Sequence, residues 1–147
     1  MANTDYQLII LGGGPAGLTA GLYAARDRMQ AVLVEKGVVG GQVLVTDWID
    51  NYPGFPEGIS GFDLIEKMAA QAKRFKLETK NANVVKVELT EAKKTLILES
   101  GGELTCQALI ICTGARPNKL GLPGEEEFTG KGVSFCGTCD GPFFRDQ

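Results

Sequence analysis

The sequence predicts an α/β fold built on a parallel sheet, and three observations carry that expectation. A short apolar strand, Tyr6 to Leu11, runs into a cluster of glycines. A helix follows from Pro15 to about Arg28, with Leu18, Leu22 and Ala25 recurring on one face and Ala20, Gly21 and Ala24 giving close packing. A second apolar strand runs from Ala31 to Glu35. Strand, helix and strand within about 30 residues make a βαβ unit, whose strands are parallel and whose crossover is right-handed. Pro15 suits the first helical turn, where a missing N–H costs nothing.

The later elements are placed in the same way. Gly37 to Gly61 has no sustained period and reads as a long loop, rich in glycine, proline and aromatic residues. Loops of this length are functional or disordered, and Trp48, Tyr52 and Phe55 argue against disorder, since such rings cover a surface. Ser60-Gly61-Phe62-Asp63 marks a helix start, and Leu64, Met68, Ala72 and Phe75 carry its apolar face to about Lys76. Leu77 to Thr79 reads as a short strand. Val84 to Leu89, Thr95 to Glu99 and Glu103 to Gln107 alternate as three more, with Ser100-Gly101-Gly102 as a hairpin turn. Ala108 to Thr113 is continuously apolar, the pattern of a return to a central parallel strand. Gly114-Ala115-Arg116-Pro117 reads as a boundary.

Composition excludes several function classes. The 147 residues carry a formal net charge of −3, without the basic stripe of a nucleic-acid surface. No apolar run reaches the roughly 20 residues that span a bilayer, and Met1 to Asp5 lacks the basic region of a signal peptide. The expected compartment is the cytoplasm, where the four cysteines serve as redox groups, metal ligands or core fillers rather than as a disulfide framework. The absence of histidine removes Ser-His-Asp chemistry and His-containing metal sites.

Two motifs carry chemistry. Gly12-Gly13-Gly14-Pro15-Ala16-Gly17 satisfies G-x-G-x-x-G between a predicted strand and a predicted helix, the context that separates a dinucleotide loop from a turn that merely packs a helix on a strand. Gly12 allows the tight turn, Gly14 lets the backbone approach a pyrophosphate, and Gly17 lets the helix lie close to the sheet. Glu35 ends the second strand, 18 positions past Gly17. There its carboxylate accepts hydrogen bonds from both hydroxyls of an adenosine ribose and repels a 2′-phosphate. The site therefore suits FAD or NAD over NADP, and spacing alone does not separate the first two.

The second motif is Cys136-Gly137-Thr138-Cys139, a Cys-x-x-Cys whose spacing lets a small disulfide ring close and reopen. Asp140 follows directly and is placed to carry the proton that such exchange moves. Half of a zinc site and a chance pair are the competing readings. Against zinc, the other thiols, Cys106 and Cys112, have the wrong spacing, and Cys112 lies in an apolar strand where cysteine is usually an inert core residue.

Together the motifs resemble the low-molecular-weight, bacterial type of thioredoxin reductase. The resemblance rests on the glycine loop through Leu18, on Gly40-Gly41-Gln42, Asp50-Asn51-Tyr52-Pro53-Gly54, Thr113-Gly114-Ala115 and Leu122-Pro123-Gly124-Glu125-Glu126, and above all on Cys136-Gly137-Thr138-Cys139-Asp140-Gly141. The family more often has Ala where Gly137 stands; the change adds backbone freedom and bears on redox poise, not on the role of the dithiol.

The resemblance implies a Rossmann-like, FAD-binding three-layer fold with a small antiparallel β-meander. Gly12, Gly14, Pro15, Ala16 and Gly17 would hold the FAD pyrophosphate and Glu35 the adenosine ribose. Gly41, Gln42 and Asn51 would approach the ribityl and isoalloxazine portion, the backbone near Val84 the adenine, and Thr113-Gly114 the flank of the cofactor. Cys139 would face the flavin, Cys136 would attack the disulfide of thioredoxin, and Asp140 would be the acid–base partner. In the family, electrons pass from NADPH through FAD to the dithiol and on to thioredoxin, and the working unit is a homodimer.

Length sets the chain apart from that family, whose members run to roughly double this size as two-domain flavoproteins. Residues 1–115 correspond to the first segment of the FAD-binding domain, and 116–147 to the linker and opening of the pyridine-nucleotide domain. No second glycine fingerprint occurs in the chain. The expectation is an incomplete, N-terminal portion without the NADPH site and without the segment that closes the flavin domain. Two readings follow: part of a reductase whose activity belongs to the complete protein, or a cofactor-binding fragment of a split flavoprotein without turnover of its own. A relative reduced by ferredoxin instead of NADPH is a further variant.

Overall fold

The computed structural model of the chain describes residues 4–137 and residue 141. It divides into two compact units, Met1–Gly114 and Ala115–Gln147.

In the first unit a six-stranded sheet has the order β3-β2-β1-β6-β5-β4. The strands are β1 (Tyr6–Leu11), β2 (Ala31–Glu35), β3 (Glu78–Asn81), β4 (Val84–Leu89), β5 (Lys94–Leu98) and β6 (Glu103–Ile111). β1 pairs in parallel with β2 on one side and with β6 on the other, and β2 pairs in parallel with β3. β1 and β2 are continuously apolar because both faces of the sheet are covered. On one face Ile9, Val32 and Val34 pack with Leu96, Leu98, Leu104 and Cys106 of the antiparallel strands. On the other, Leu8, Ile10 and Ala31 meet Ala24, and Leu33 meets Leu18, Ile65 and Ala72. The result is three layers: meander, parallel sheet and helices.

α1 (Pro15–Arg26) joins β1 to β2 with Pro15 in its first turn. α2 (Gly61–Arg74) starts as its sequence indicates: Ser60 is the N-cap, and its Oγ accepts the Asp63 N–H at 3.0 Å. The helix ends at Arg74 rather than near Lys76, because Lys76 takes a left-handed backbone with φ 63°.

Three further expectations are corrected. The strand expected at Leu77 to Thr79 runs instead from Glu78 to Asn81. Leu77 packs on α1, where a Cβ added to Gly21 would come within 2.4 Å of it. The strands expected at Glu103–Gln107 and Ala108–Thr113 are one strand, β6. Cys106 pairs with Tyr6 in parallel and with Lys94 in antiparallel register, so the chain passes from the meander into the parallel sheet without a break. The long loop of residues 37–61 is not structureless. It holds a 3-10 helix, Gly41–Val45, and is closed by paired hydrogen bonds between Ile49 and Ile59.

The start of β1 is clamped to β6. Asp5 Oδ2 accepts from Thr105 N (2.8 Å) and Oγ1 (2.7 Å), and Asp5 N donates to Thr105 Oγ1 (3.0 Å). The Thr105 hydroxyl and then its N–H hold the Asp5 carboxyl below the usual carboxylate range. The stabilisation such a lowered value gives is fully present above the ordinary carboxylate range and is lost as pH falls from there through the lowered, folded-state value. Thr105→Val keeps the shape and removes the hydroxyl. We expect it to cost about 1 kcal/mol near neutral pH and to flatten the acid limb of a stability-against-pH curve measured by urea unfolding. An unchanged acid limb would remove Asp5 from that account.

Among the described residues, no helix is long and apolar enough to cross a membrane.

Candidate functional site

The glycine loop, the end of β2 and the start of the 37–61 segment come together at the C-terminal edge of the parallel strands. Gly12 continues β1, its N–H donating to Val34 O at 2.8 Å, and then turns with φ 107°. A Cβ at Gly12 would lie 2.3 Å from Cys112 O and 3.1 Å from Thr113 N, so the end of β6 presses on the loop. A Cβ at Gly17 would lie 1.8 Å from Gly12 O, which fixes how closely α1 sits on the turn.

Gly14 differs from both. It is the N-cap of α1, with extended backbone, and the nearest atom to an added Cβ is Gly40 O at 4.0 Å. Absence of a side chain at Gly14 is therefore not required by packing. It leaves room beside the first turn of α1, where no side chain caps the helix and no acidic residue stands. First-turn N–H groups lack intrahelical partners, and with the helix dipole they favour an anion. Pro15 and Ala16 form that first turn with Gly17.

Glu35 is held rather than free. Its Oε2 accepts the Gly13 N–H at 2.7 Å, and its Oε1 accepts the Gly37 N–H at 3.0 Å. Its main-chain oxygen accepts from Ala82 N, and Asn81 Nδ2 donates to Gly37 O at 3.1 Å. A carboxylate has about four acceptor positions. Two are used in orienting it, and one on each oxygen is left for a vicinal diol.

Gly40 and Gly41 dock on the loop from the other side. Gly40 N donates to Gly13 O at 2.8 Å, and an added Cβ at Gly41 would lie 3.5 Å from Gly14 Cα. Their φ values of 135° and 60° favour glycine. Gln42 follows, exposed, in the 3-10 helix. Thr113 is exposed just past β6, and Gly114 turns with φ 70°. Asn51 is exposed within the segment that Ile49 and Ile59 close. Val84 opens β4 opposite Leu98 and packs on the Ile9 cluster; it follows Ala82, which is bonded to Glu35.

The structure thus brings together Gly12, Gly14, Gly17, Glu35, Gly41 and Thr113, and it links none of them directly to Asn51. Sequence reasoning quoted Gly13 and Gly40 only inside their motifs and gave no role to them or to Asn81, whose contacts orient the acid and brace the loop. Gly40 carried a signal, as half of a glycine pair inside an aromatic loop; Gly13 and Asn81 carried none.

In the second unit Cys136 is disulfide-bonded, and its N–H donates to Ser134 Oγ at 3.1 Å. Cys139 and Asp140 lie outside the described residues. Cys106 and Cys112 are free thiols, and burial pushes both up from the ordinary thiol range. Among the described residues, no group of three or more His, Cys, Asp or Glu is arranged to hold a metal ion.

A cleft of about 320 Å³ lies elsewhere, between α1, α2 and the residues around Tyr52 and Phe55. Its lining is mostly apolar and includes no glycine of the loop and no acid. The candidate site is the backbone and carboxylate chemistry at Gly14 and Glu35, apart from this cleft.

Residues 6–147 match the family described as pyridine nucleotide-disulphide oxidoreductase. The chain belongs to that family. Among its relatives, a thioredoxin reductase of Streptomyces clavuligerus is 47% identical over 142 residues, covering 96% of this chain and 44% of the relative. The crystal structure of thioredoxin reductase from Streptococcus pyogenes superposes with a TM-score of 0.85 at 43% identity, over 99% of this chain and 47% of that one. A ferredoxin-flavin thioredoxin reductase from Clostridium acetobutylicum matches with a TM-score of 0.70 at 33% identity, over 95% of this chain and 47% of that one. The chain therefore spans a little under half the length of these relatives, and the resemblance read from the motifs holds over nearly all of it.

Proposed function

We propose that the chain carries the flavin-binding and dithiol-bearing part of a thioredoxin-disulfide reductase. The observation that carries this reading is the oriented Glu35 carboxylate beside the open, uncapped start of α1 at Gly14. One suits the ribose diol of a dinucleotide and the other its pyrophosphate. FAD is the dinucleotide proposed, with Gly41, Gln42, Asn51, the backbone near Val84, and Thr113-Gly114 along its length. Residues 1–115 are the first segment of its domain, and 116–147 open the pyridine-nucleotide domain.

When bound, the flavin supplies two-electron exchange with a disulfide. Cys139 is the thiol proposed to face it, Cys136 the one that attacks the partner disulfide, and Asp140 the group that carries the proton. The partner is thioredoxin or a thioredoxin-like protein, and NADPH is the proposed electron source in the complete protein. The Clostridium relative's name keeps ferredoxin as the alternative donor. Donor and partner are separated by supplying each reduced donor to a full-length protein. A homodimer working in the cytoplasm completes the proposal.

Among the described residues, β6 beyond Cys106 pairs with β1 alone, and Ile110 and Ile111 are exposed. That free edge fits a flavin domain completed by a further segment. The chain alone is accordingly expected to release FAD on gel filtration and to reduce no thioredoxin with NADPH. Stoichiometric flavin retained through the column, or turnover, would count against the incomplete-domain part of the proposal.

The site itself is tested by titrating FAD into the chain and following flavin fluorescence. Saturable binding is expected. Glu35→Ala removes both the diol acceptor and the brace on Gly13 and Gly37, and each lost charge-assisted bond is worth about 1.5 kcal/mol or more. A loss of affinity of at least tenfold is expected. Equal affinity in the variant would reject Glu35 as the ribose acid, and the absence of saturable binding would reject the flavin site.

A further inference from the structure

β3 is a four-residue edge strand whose side chains add almost nothing to the core: Glu78, Thr79 and Asn81 are exposed and Lys80 is half-buried. It pairs with β2 alone, in a register that runs from Val32 opposite Glu78 to Glu35 opposite Asn81, so the two strands end level. The side chains at its two ends act as hooks. Glu78 Oε1 accepts the Tyr6 hydroxyl at 2.8 Å, and Asn81 Nδ2 donates to Gly37 O at 3.1 Å. Asparagine is a poor strand residue. Here it stands at the last position, opposite Glu35, and reaches the turn that follows that acid.

The turn supplies one of two N–H groups that orient the Glu35 carboxylate: Gly13 binds Oε2 at 2.7 Å and Gly37 binds Oε1 at 3.0 Å. The two supports are unequal. Gly13 is held from elsewhere, since its O accepts from Gly40 N at 2.8 Å and Cys112 O presses on Gly12 beside it. Gly37 is exposed, and apart from its chain neighbours the nearest atom to an added Cβ is Glu35 Oε1 itself, at 4.0 Å. Among the described residues, the bond from Asn81 is the one hydrogen bond that holds Gly37 independently of the acid. A carbonyl oxygen only accepts, so only the amide nitrogen of Asn81 serves there. Without that donor, Gly37 is held by the same carboxylate that it orients.

We infer that Asn81 is a positioning residue for Glu35: through Gly37 it fixes the plane of the carboxylate, and with it the preference of the site for an intact ribose diol. The inference rests on the proposed role of Glu35. A diol is bound best by an acid that already presents one acceptor from each oxygen in a fixed plane, because none of the binding is spent on ordering it. The main chain of the acid does not depend on the side chain at position 81, since Ala82 N donates to Glu35 O at 3.0 Å. Substitution of Asn81 therefore acts on the turn and the carboxylate rather than on the strand pair.

The experiment compares the chain with Asn81→Ala and with Asn81→Asp, which keeps the shape and loses the donor. Amide hydrogen exchange without ligand reads the brace. Both variants are expected to speed exchange at Gly37 at least about fivefold and to leave Gly13 within about twofold, a local opening. Flavin fluorescence reads the selectivity, with FAD and its 2′-deoxyadenosine analogue as ligands. The parent is expected to bind FAD at least about tenfold more tightly than the analogue, which leaves an oriented acceptor unpaired. In both variants that ratio is expected to fall to about threefold or less, with the affinity for the analogue and the urea midpoint little changed. A general loosening of the chain would not separate the two ligands or the two amides. Unchanged exchange at Gly37, or exchange that rises equally at Gly13, overturns the brace. A collapse of the ratio in Asn81→Asp alone reports the new charge and overturns the role of the lost donor. Faster exchange at Gly37 with the ratio kept overturns the inference and leaves Glu35 as the ribose acid. A parent that binds both ligands equally rejects Glu35 as that acid, and the inference with it.

Discussion

Gly17→Ala is expected to destabilise the chain by about 3 kcal/mol or more, at the upper end of what one added methyl does. The added Cβ would lie 1.8 Å from Gly12 O and 3.0 Å from Gly12 C. The obstacle is backbone, so no side chain can swing aside. Either α1 lifts from the loop or the loop moves, and the loop is pinned on its far side by Cys112 O against Gly12. α1 also carries Leu18 into the cluster with Leu33 and Ile65, so lifting it opens the core.

Gly14→Ala is the matched control. Its Cβ meets nothing nearer than 4.0 Å, and the backbone there is extended. Stability should fall by no more than about 1 kcal/mol, the difference between glycine and alanine at an N-cap. FAD affinity should nonetheless fall at least tenfold, because the Cβ fills the space proposed for the pyrophosphate. Urea unfolding and flavin titration on both variants separate the two roles. A Gly17→Ala chain as stable as its parent would show that α1 does not depend on this contact. A Gly14→Ala chain that binds FAD normally would move the pyrophosphate elsewhere.

That contrast shows what the sequence made legible. The loop motif assigns the glycines different tasks, and the geometry at Gly12, Gly14 and Gly17 separates along those lines because each task is a constraint on backbone approach. The Ser60–Asp63 helix start was legible for a similar reason: the cap is local, and both residues lie within one turn. The merging of two expected strands into β6 was not. It depends on Cys106 finding Tyr6 on one side and Lys94 on the other, and neither neighbour is close in sequence. The 3-10 helix was hidden too, since it depends on Gly40 and Gly41 turning with positive φ and on Gly61 lying close under Val43 O.

The acid illustrates both sides. Glu35 was legible from its spacing, because a strand of fixed rise places its last residue at the sheet edge. Its orientation was not, because the groups that orient it are the N–H groups of Gly13 and Gly37, which every sequence possesses. Glu125 is a similar case: it stands in the quoted segment Leu122–Glu126, but nothing there announces that its carboxylate accepts from the amides of Leu120, Gly121 and Leu122. An acid among three acids after a Pro-Gly turn reads as exposed charge until the chain folds its amides onto it.

In a full-length protein carrying this chain, Cys136→Ser should lower thioredoxin reduction by at least about a hundredfold, since exchange needs a thiolate and a hydroxyl does not supply one. No other described thiol is placed to substitute. Cys106 has no exposed surface, at the point where β6 meets both β1 and β5, and burial pushes its thiol up. Cys112 is half-buried behind Gly12 and Gly17 and is shifted in the same direction, which lowers its thiolate fraction at neutral pH. The residues proposed for FAD all lie in the first unit and Cys136 in the second, so the variant should keep its flavin. Activity is read as the appearance of thioredoxin thiols and flavin content by absorbance on the same sample. Reduction that continues in Cys136→Ser would refute Cys136 as the attacking thiol. Loss of both activity and flavin would instead mean that the substitution acts through the cofactor rather than through exchange.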